Sequence, residues 1–388
     1  MTHRERVLCT LEHAEPDFVP LDLGSVGSLL VDPLYFEVKK LLGIEENIPP
    51  YRSGSTANYY DERILEALDI DFRHLWLISP DKPSSVKNPD GTVLDEWGIL
   101  WSAEGSYPVH FPLKGATEEE LAAYPWPLPE VPWNLDELRE RARKLYTDTD
   151  YAIAAKSVFG GGGILERCYY LRSIEELFID MSLRKPVARF IIDRVVEVEL
   201  ALWDMYLEAV GPYVQVVQRA SDLGTQTSLF LSPDLYREFL KPAEEKVFRF
   251  IKGKVPQAKL WFHSCGAVAE LIEDFIDIGV DILNPVQPLA SGMDSFGLKE
   301  KFGKRLCFHG GIDIQRAMPG TLEDVRLEAQ TRIQAFAPGG GYILAPANHV
   351  QTDTAAENVI ALYRYARELG RYPLSSAENS IRYTPKTR

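Results

Sequence analysis

Eight short apolar runs, rich in valine, isoleucine and aromatic residues, alternate along the chain with longer segments of helical period. This alternation limits the fold more than any other feature. The runs are FVPLDLG (18–24), DFRHLWL (71–77), YAIAAKSV (151–158) and YVQVVQRA (213–220), then AKLWFHSC (258–265), DILNPVQ (281–287), RLCFHGG (305–311) and GYILAPA (341–347). Between them lie helical patterns such as PDLYREFLKPAEEKVFRFIKG (233–253), AVAELIEDFIDIG (267–279) and TAAENVIALYRYARELG (354–370). Strands joined through helices pair in parallel, and eight of them close a (β/α)8 barrel. An open doubly wound sheet is the alternative, but no G-x-G-x-x-G opens a helix after the first run. GGGG at 160–163 reads as a flexible loop after the third strand.

The spacing breaks between residues 78 and 150, where SPDKPSSVKNPDGTVLDEWGILWS precedes a proline-rich YPWPLPEVPW. NPDG is a hairpin-turn signal, so this segment is expected to be a β-hairpin and loop insertion after strand two, over one rim of the barrel. Residues 1–370 are then one barrel domain, and 371–388 a polar tail. At 45% hydrophobic residues the chain has ample material for a large core. The net charge of −15 argues against a nucleic-acid partner, because phosphate binding needs a basic surface. No run approaches 18 consecutive apolar residues, and the charged start MTHRERVLCTLEHAEPD lacks the apolar segment of a secretory signal. Four scattered cysteines form no disulfide framework, so a reducing cytoplasm is the expected setting.

In a parallel barrel the chemistry gathers at the C-terminal ends of the strands. That rule selects Asp22, Asp222, His263, Cys265, Asn284, Gln287, His309, Asp313, Asn348 and His349; Arg73 and His74 fall inside the second strand. The sharpest of these is WFHSCGAV (261–268). Side chains two apart on a strand point the same way, so His263 and Cys265 can share one ion. Imidazole nitrogen and thiolate sulfur are preferred zinc donors, and Gly266 lets the backbone turn closely behind them. A third donor is needed, with His349, His309 and Cys307 as candidates. The ordinary reading is a hydrogen-bonded histidine and a packed cysteine at a strand end.

Asp222, in QRASDLGTQ, can act as a general base or orient a substrate, or else cap a turn. Asn284 and Gln287, in NPVQ, are candidate hydrogen-bonding groups for catalysis, and Asp22 and His309 for substrate binding. Glu166 is a further substrate-side candidate, although a glutamate in the first turn of a helix has a structural use of its own. Asp313 and Gln315, in GGIDIQ, are expected to build the loop after the seventh strand.

RERVLCTLEHAEPDFVPLD at the start, HSCG after strand five, DILNPVQ at strand six and AAENVIAL near the end resemble the uroporphyrinogen decarboxylase superfamily, from about residue 3 to 370. The resemblance implies a (β/α)8 barrel. In the porphyrinogen decarboxylases an Arg-Gln-Ala-Gly-Arg segment after strand one binds the substrate carboxylates. The matching stretch here, DLGSVGSLLVDP, has no arginine, which argues against a polyanionic porphyrin substrate. The other branch, the cobalamin-dependent methyltransferases, carries a zinc-binding His-x-Cys-Gly motif that His263, Cys265 and Gly266 match. Its later cysteine is absent; LAPANHVQ places His349 at or beside that position.

The resemblance therefore implies a zinc-dependent methyltransferase, with His263, Cys265 and His349 as the metal set. It would move a methyl group between a small methylated compound, such as a methoxyl donor, and a corrinoid carried by a partner protein. A homodimer would fit the family. The alternative function is a metal-free decarboxylase acting on a smaller acid, with Asp22 or Asp222 handling the charge or the proton.

Overall fold

The computed structural model describes residues 1–52, 55–77, 86–103, 107–129 and 134–374. After strand β1 (Phe72–Leu75) come four short strands, β2 (Val86–Lys87), β3 (Val93–Leu94), β4 (Leu100–Trp101) and β5 (Pro108–His110), which pair as one antiparallel sheet. The turn between β2 and β3 is NPDG, closed by Gly91 N donating to Asn88 O at 3.0 Å. The other strands are β6 (Ala152–Ala155), β7 (Val216–Ala220), β8 (Lys259–His263), β9 (Ile282–Val286), β10 (Cys307–Ile312) and β11 (Tyr342–Pro346). With β1 they form one seven-stranded sheet in the order β1-β6-β7-β8-β9-β10-β11, each adjacent pair parallel. Residues on both faces of these strands are buried, the pattern of a parallel sheet covered by helices.

The run at 18–24 was expected to be a strand, and here it is reduced to single bridges. Leu21 pairs with Leu344, Asp22 N donates to Leu344 O at 3.0 Å, and Asp71 N donates to Leu21 O at 3.0 Å. Residues 20–22 thus hydrogen-bond to β11 on one side and to the residue before β1 on the other. Two local facts keep the ladder short. Pro20 has no N–H, and Leu21 N donates to the side chain of Asp71 (Oδ2, 2.7 Å) instead of a strand carbonyl. At Gly24 the backbone turns with φ +119 and leaves the sheet.

The N-terminal helix His3–Leu11 closes the end of the sheet where the strands begin. Its Val7 and Leu11 pack with Phe72, Ala152, Val216, Trp261, Ile282, Cys307 and Ile343 in one buried cluster. Cys307 therefore lies at the end opposite the strand termini that carry the polar residues. On the flank, buried Arg219 of β7 bridges two helices. It donates to Glu199 of Lys185–Val210 at 2.7 Å through Nε and Nη2, and to Glu244 of Lys241–Lys254 through Nη1. Among the described residues, no helix is long and apolar enough to cross a membrane. The polar tail lies outside the described residues from 375 onward.

Candidate functional site

His263 is the last residue of β8, and the chain leaves the strand through Ser264, Cys265 and Gly266. Neighbouring strand ends hold this exit in place. Ser264 Oγ accepts from Leu223 N at 3.0 Å, and Asp222 Oδ1 accepts from Cys265 N at 2.8 Å. Gly266 turns with φ +88 against the loop after β7, where a Cβ would come within 2.4 Å of Thr225 O. Only glycine fits that position without strain. As a result Cys265 Sγ lies 3.5 Å from His263 Nε2, and Asp222 Oδ1 lies 3.6 Å from the same nitrogen. One ligand atom from each of Asp222, His263 and Cys265 falls within 4.8 Å of the others.

The imidazole is fixed by a chain of buried hydrogen bonds. His263 Nδ1 meets Asn284 Oδ1, an acceptor, so Nδ1 carries the proton and Nε2 turns a lone pair toward Cys265 and Asp222. Asn284 Nδ2 donates to His309 Nδ1 at 2.6 Å, and His309 Nε2 donates to Asp22 Oδ2 at 2.9 Å. On the other side of Asp22, His74 Nε2 donates to Oδ1 at 2.8 Å, and Gln218 Nε2 donates to His74 Nδ1 at 3.3 Å. Burial opposes the charge on Asp22, but the bonds from His74 and His309 outweigh it and hold the carboxyl well below its usual range. Burial lowers the pKa of both His74 and His309, while the charge and hydrogen bonds of Asp22 oppose the shift.

The three donors suit a zinc ion in chemistry. Nitrogen, sulfur and carboxylate oxygen are all zinc ligands. Burial, then the charge of Asp222, pushes the Cys265 thiol far above its ordinary range, so without a cation it stays protonated. Asn348 Nδ2 donates to its sulfur at 3.3 Å. Second-sphere fixing of the histidine through Asn284 is what a metal-binding imidazole requires.

Several sequence-selected residues fall elsewhere in the site. His349 is not in the set of three; its Nδ1 accepts from Leu29 N at 3.0 Å. Asp222, after β7, is the side chain that reaches His263 and Cys265, while His349, after β11, accepts from the loop at 24–30. His309, the rival donor, has both ring nitrogens engaged, and Cys307 faces the N-terminal helix, 3.8 Å from His13. Asp22 and Asn284, expected to meet substrate or act in catalysis, are fully buried behind His263. Glu166 braces Asp222 from below: it accepts from Asp222 N, from Gly163 N at 2.8 Å and from Ser221 Oγ at 3.2 Å. Burial, then the charge of Asp222, pushes its carboxyl up to about 8. Gln287 Oε1 accepts from Gly266 N at 3.1 Å, and Asp313 accepts from Gln315 N at 2.8 Å and Ala317 N at 3.2 Å.

A cavity of about 400 Å³ opens on Asp222, Cys265, Gln287 and Asn348. The glycine-containing loop after Asp22 covers the histidine; a Cβ on Gly27 would stand 2.4 Å from His263 Cε1. Sequence reasoning overlooked Gln218, Arg52 and Lys156 and left His74 without a role. Strand parity was the available signal for two of them, since polar residues at 74 and 218 share the inward-facing positions of their strands.

A methyltransferase from Methanosarcina mazei superimposes with a TM-score of 0.60 at 19% identity, covering 95% of this chain and 99% of that one. A GH10 xylanase with a bacterial Ig-like domain, from termite gut, reaches a TM-score of 0.38 at 8% identity, over 62% of this chain and 64% of that one. An endo-1,4-β-xylanase from Penicillium canescens reaches 0.31 at 12%, over 45% and 68% respectively, and neither value carries an argument. None of the curated proteins matches the sequence. The model of the uroporphyrinogen decarboxylase (URO-D) family matches residues 157–369, which span β7 to β11 and every member of the His263 triad. The chain belongs to the uroporphyrinogen decarboxylase family.

Proposed function

We propose that this protein is a zinc-dependent methyltransferase that moves a methyl group between a small methylated compound and a corrinoid carried by a partner protein. The observation that carries this reading is the convergence of His263 Nε2, Cys265 Sγ and a carboxylate oxygen of Asp222 at the strand ends. Three protein donors leave a fourth position for a substrate atom, the arrangement of catalytic rather than structural zinc. The likeness in fold to a methyltransferase supports the same reading, as does the lack of arginine in DLGSVGSLLVDP. With residues 20–22 counted as its eighth strand, the sheet reads as a (β/α)8 barrel, one domain over residues 1–370, and the small antiparallel sheet as an insertion at its rim.

Bound zinc supplies Lewis-acid polarisation of an oxygen or sulfur held beside it. The remaining work falls to the chain. Asn284 keeps the Nε2 lone pair of His263 turned inward, and Asn348 donates to Cys265 Sγ, moderating the charge on that sulfur. Gln287 and Gln226, joined at 2.8 Å, border the cavity in which a small substrate is oriented. The loop at Gly27 shields His263 from water. In the demethylation direction the partner's reduced corrinoid would supply the nucleophile that takes the methyl group, while the carbon–oxygen bond of the substrate, oriented beside Gln287 and Gln226, would break and the released oxygen would take up a proton.

Zinc per chain in the purified protein, measured by mass spectrometry, and methyl transfer to chemically reduced cobalamin from a panel of methoxylated compounds test the proposal together. About one zinc per chain with methylcobalamin formation is the expected result. Protein that holds no zinc, even after reconstitution, would overturn it in favour of a metal-free decarboxylase.

A further inference from the structure

A second and larger cavity, of about 850 Å³, shares none of its described lining residues with the first. It runs from Arg52 and His349 to Glu166, whose Oε1 accepts from Asp222 N. Trp101, Phe159 and Tyr170 contribute apolar wall, with Trp101 and Tyr170 in edge contact at 4.9 Å.

Its Arg52 end presents donors in need of an acceptor. Arg52 Nε is fixed by Ala57 O at 2.8 Å, while Nη2 is buried and, among the described residues, meets no hydrogen-bond partner. A buried guanidinium nitrogen left unbonded is costly, so this one is ready to take an acceptor that enters the cavity. His349 Nδ1 accepts from Leu29 N, which puts the proton of the neutral ring on Nε2 and makes that atom a second donor. Burial, then the charge of Arg52, holds His349 down at about 3, which keeps it neutral. Lys156 Nζ donates to Gly24 O at 2.7 Å. Elsewhere on the wall the carboxylate of Asp95 accepts from Trp101 Nε1 at 2.8 Å and from backbone N–H groups of Trp97 and Ile99. The cavity thus presents the Arg52 guanidinium and the His349 ring N–H as donors, with Asp95 and Glu96 elsewhere on its wall.

We propose that this cavity binds an aromatic carboxylic acid, its carboxylate on Arg52 Nη2 and His349 Nε2 and its ring against Trp101, Phe159 and Tyr170. A planar guanidinium suits a planar carboxylate, and aromatic walls suit a flat ring. That such an acid is the substrate rests on the methyltransferase reading; that it binds does not.

The test is calorimetric titration of the full chain, with and without zinc, using benzoate, benzyl alcohol and inorganic phosphate as probes. Benzoate is expected to bind at least tenfold tighter than either of the others. Arg52→Leu is expected to weaken benzoate at least tenfold and Arg52→Lys less. No benzoate binding, equal binding by folded Arg52→Leu, or phosphate binding as tightly as benzoate would overturn the proposal. If Arg52→Leu does not fold, His349→Phe decides instead: unchanged benzoate affinity overturns it and a loss supports it. Benzoate bound normally by protein that holds no zinc and transfers no methyl group would sink the methyltransferase reading and leave this site standing.

Discussion

One side chain, Asn284, joins His263 to the interior of the sheet: its carbonyl oxygen takes the Nδ1 proton of His263, and its amide nitrogen donates to His309 Nδ1 at 2.6 Å. Because the amide cannot rotate without breaking both bonds, the orientation of His263 is tied to Asp22, more than one residue deeper. Asn284→Leu removes the acceptor and leaves the imidazole free to turn. Zinc affinity, measured by competition with a chromogenic chelator, is expected to fall about 10- to 100-fold, the usual effect of losing an outer-sphere partner. An unchanged affinity would show that His263 needs no such support.

The identity of the third metal donor separates geometry from sequence likeness. His263→Ala, Cys265→Ser and Asp222→Ala are each expected to lower bound zinc well below one per chain, while His349→Ala retains it, because His349 Nδ1 accepts from Leu29 N and so leaves the ring proton, not a lone pair, on Nε2. Zinc lost in His349→Ala and kept in Asp222→Ala would reverse that assignment.

Gly266 holds the ligand loop by conformation alone. Gly266→Ala places a Cβ 2.4 Å from Thr225 O at a backbone with φ +88. A cost of about 1–3 kcal/mol in thermal or denaturant unfolding is expected from strain of this kind, with a parallel loss of bound zinc as Cys265 shifts. Normal stability and zinc content would mean that the loop relaxes freely.

Away from the site, Glu244 makes stability depend on pH. Burial is the main cause, with the neighbouring Glu199 acting the same way and Arg219 opposing, and together they push its carboxyl up to about 7 from an ordinary 4.5. Between those values the folded protein holds a proton that the unfolded chain has released. The contribution is therefore fully present below about pH 4.5 and is lost as pH rises toward 7, at up to about 1.4 kcal/mol per unit. Glu244→Gln is expected to flatten the fall in melting temperature between pH 5 and 7. The same slope in the variant would assign it to another group.

The alternation of apolar runs with helical segments was legible from period alone. Seven of the eight expected strands appear on the stretches that composition marked out, β10 running one residue past its own, because burial on both faces demands continuous apolar sequence. The eighth, at 18–24, faded because the competing acceptor for Leu21 N is the side chain of Asp71, 50 residues on, and no local pattern encodes that contact. His263 and Cys265 were readable as a pair because strand geometry sets i and i+2 on one side. Asp222 as their companion was not, since it depends on how β7 and β8 register, Ala220 beside His263, and on the path of the chain after each. The inward roles of Asp22, His74, Asn284 and His309 likewise come from closing the sheet, which brings residues 52 to 287 positions apart within hydrogen-bonding distance. Sequence determined which residues carry donors and which segments must be buried. Tertiary structure alone decided which donors meet, because a hydrogen bond or a shared ion depends on distances of a few ångströms that separation along the chain does not fix.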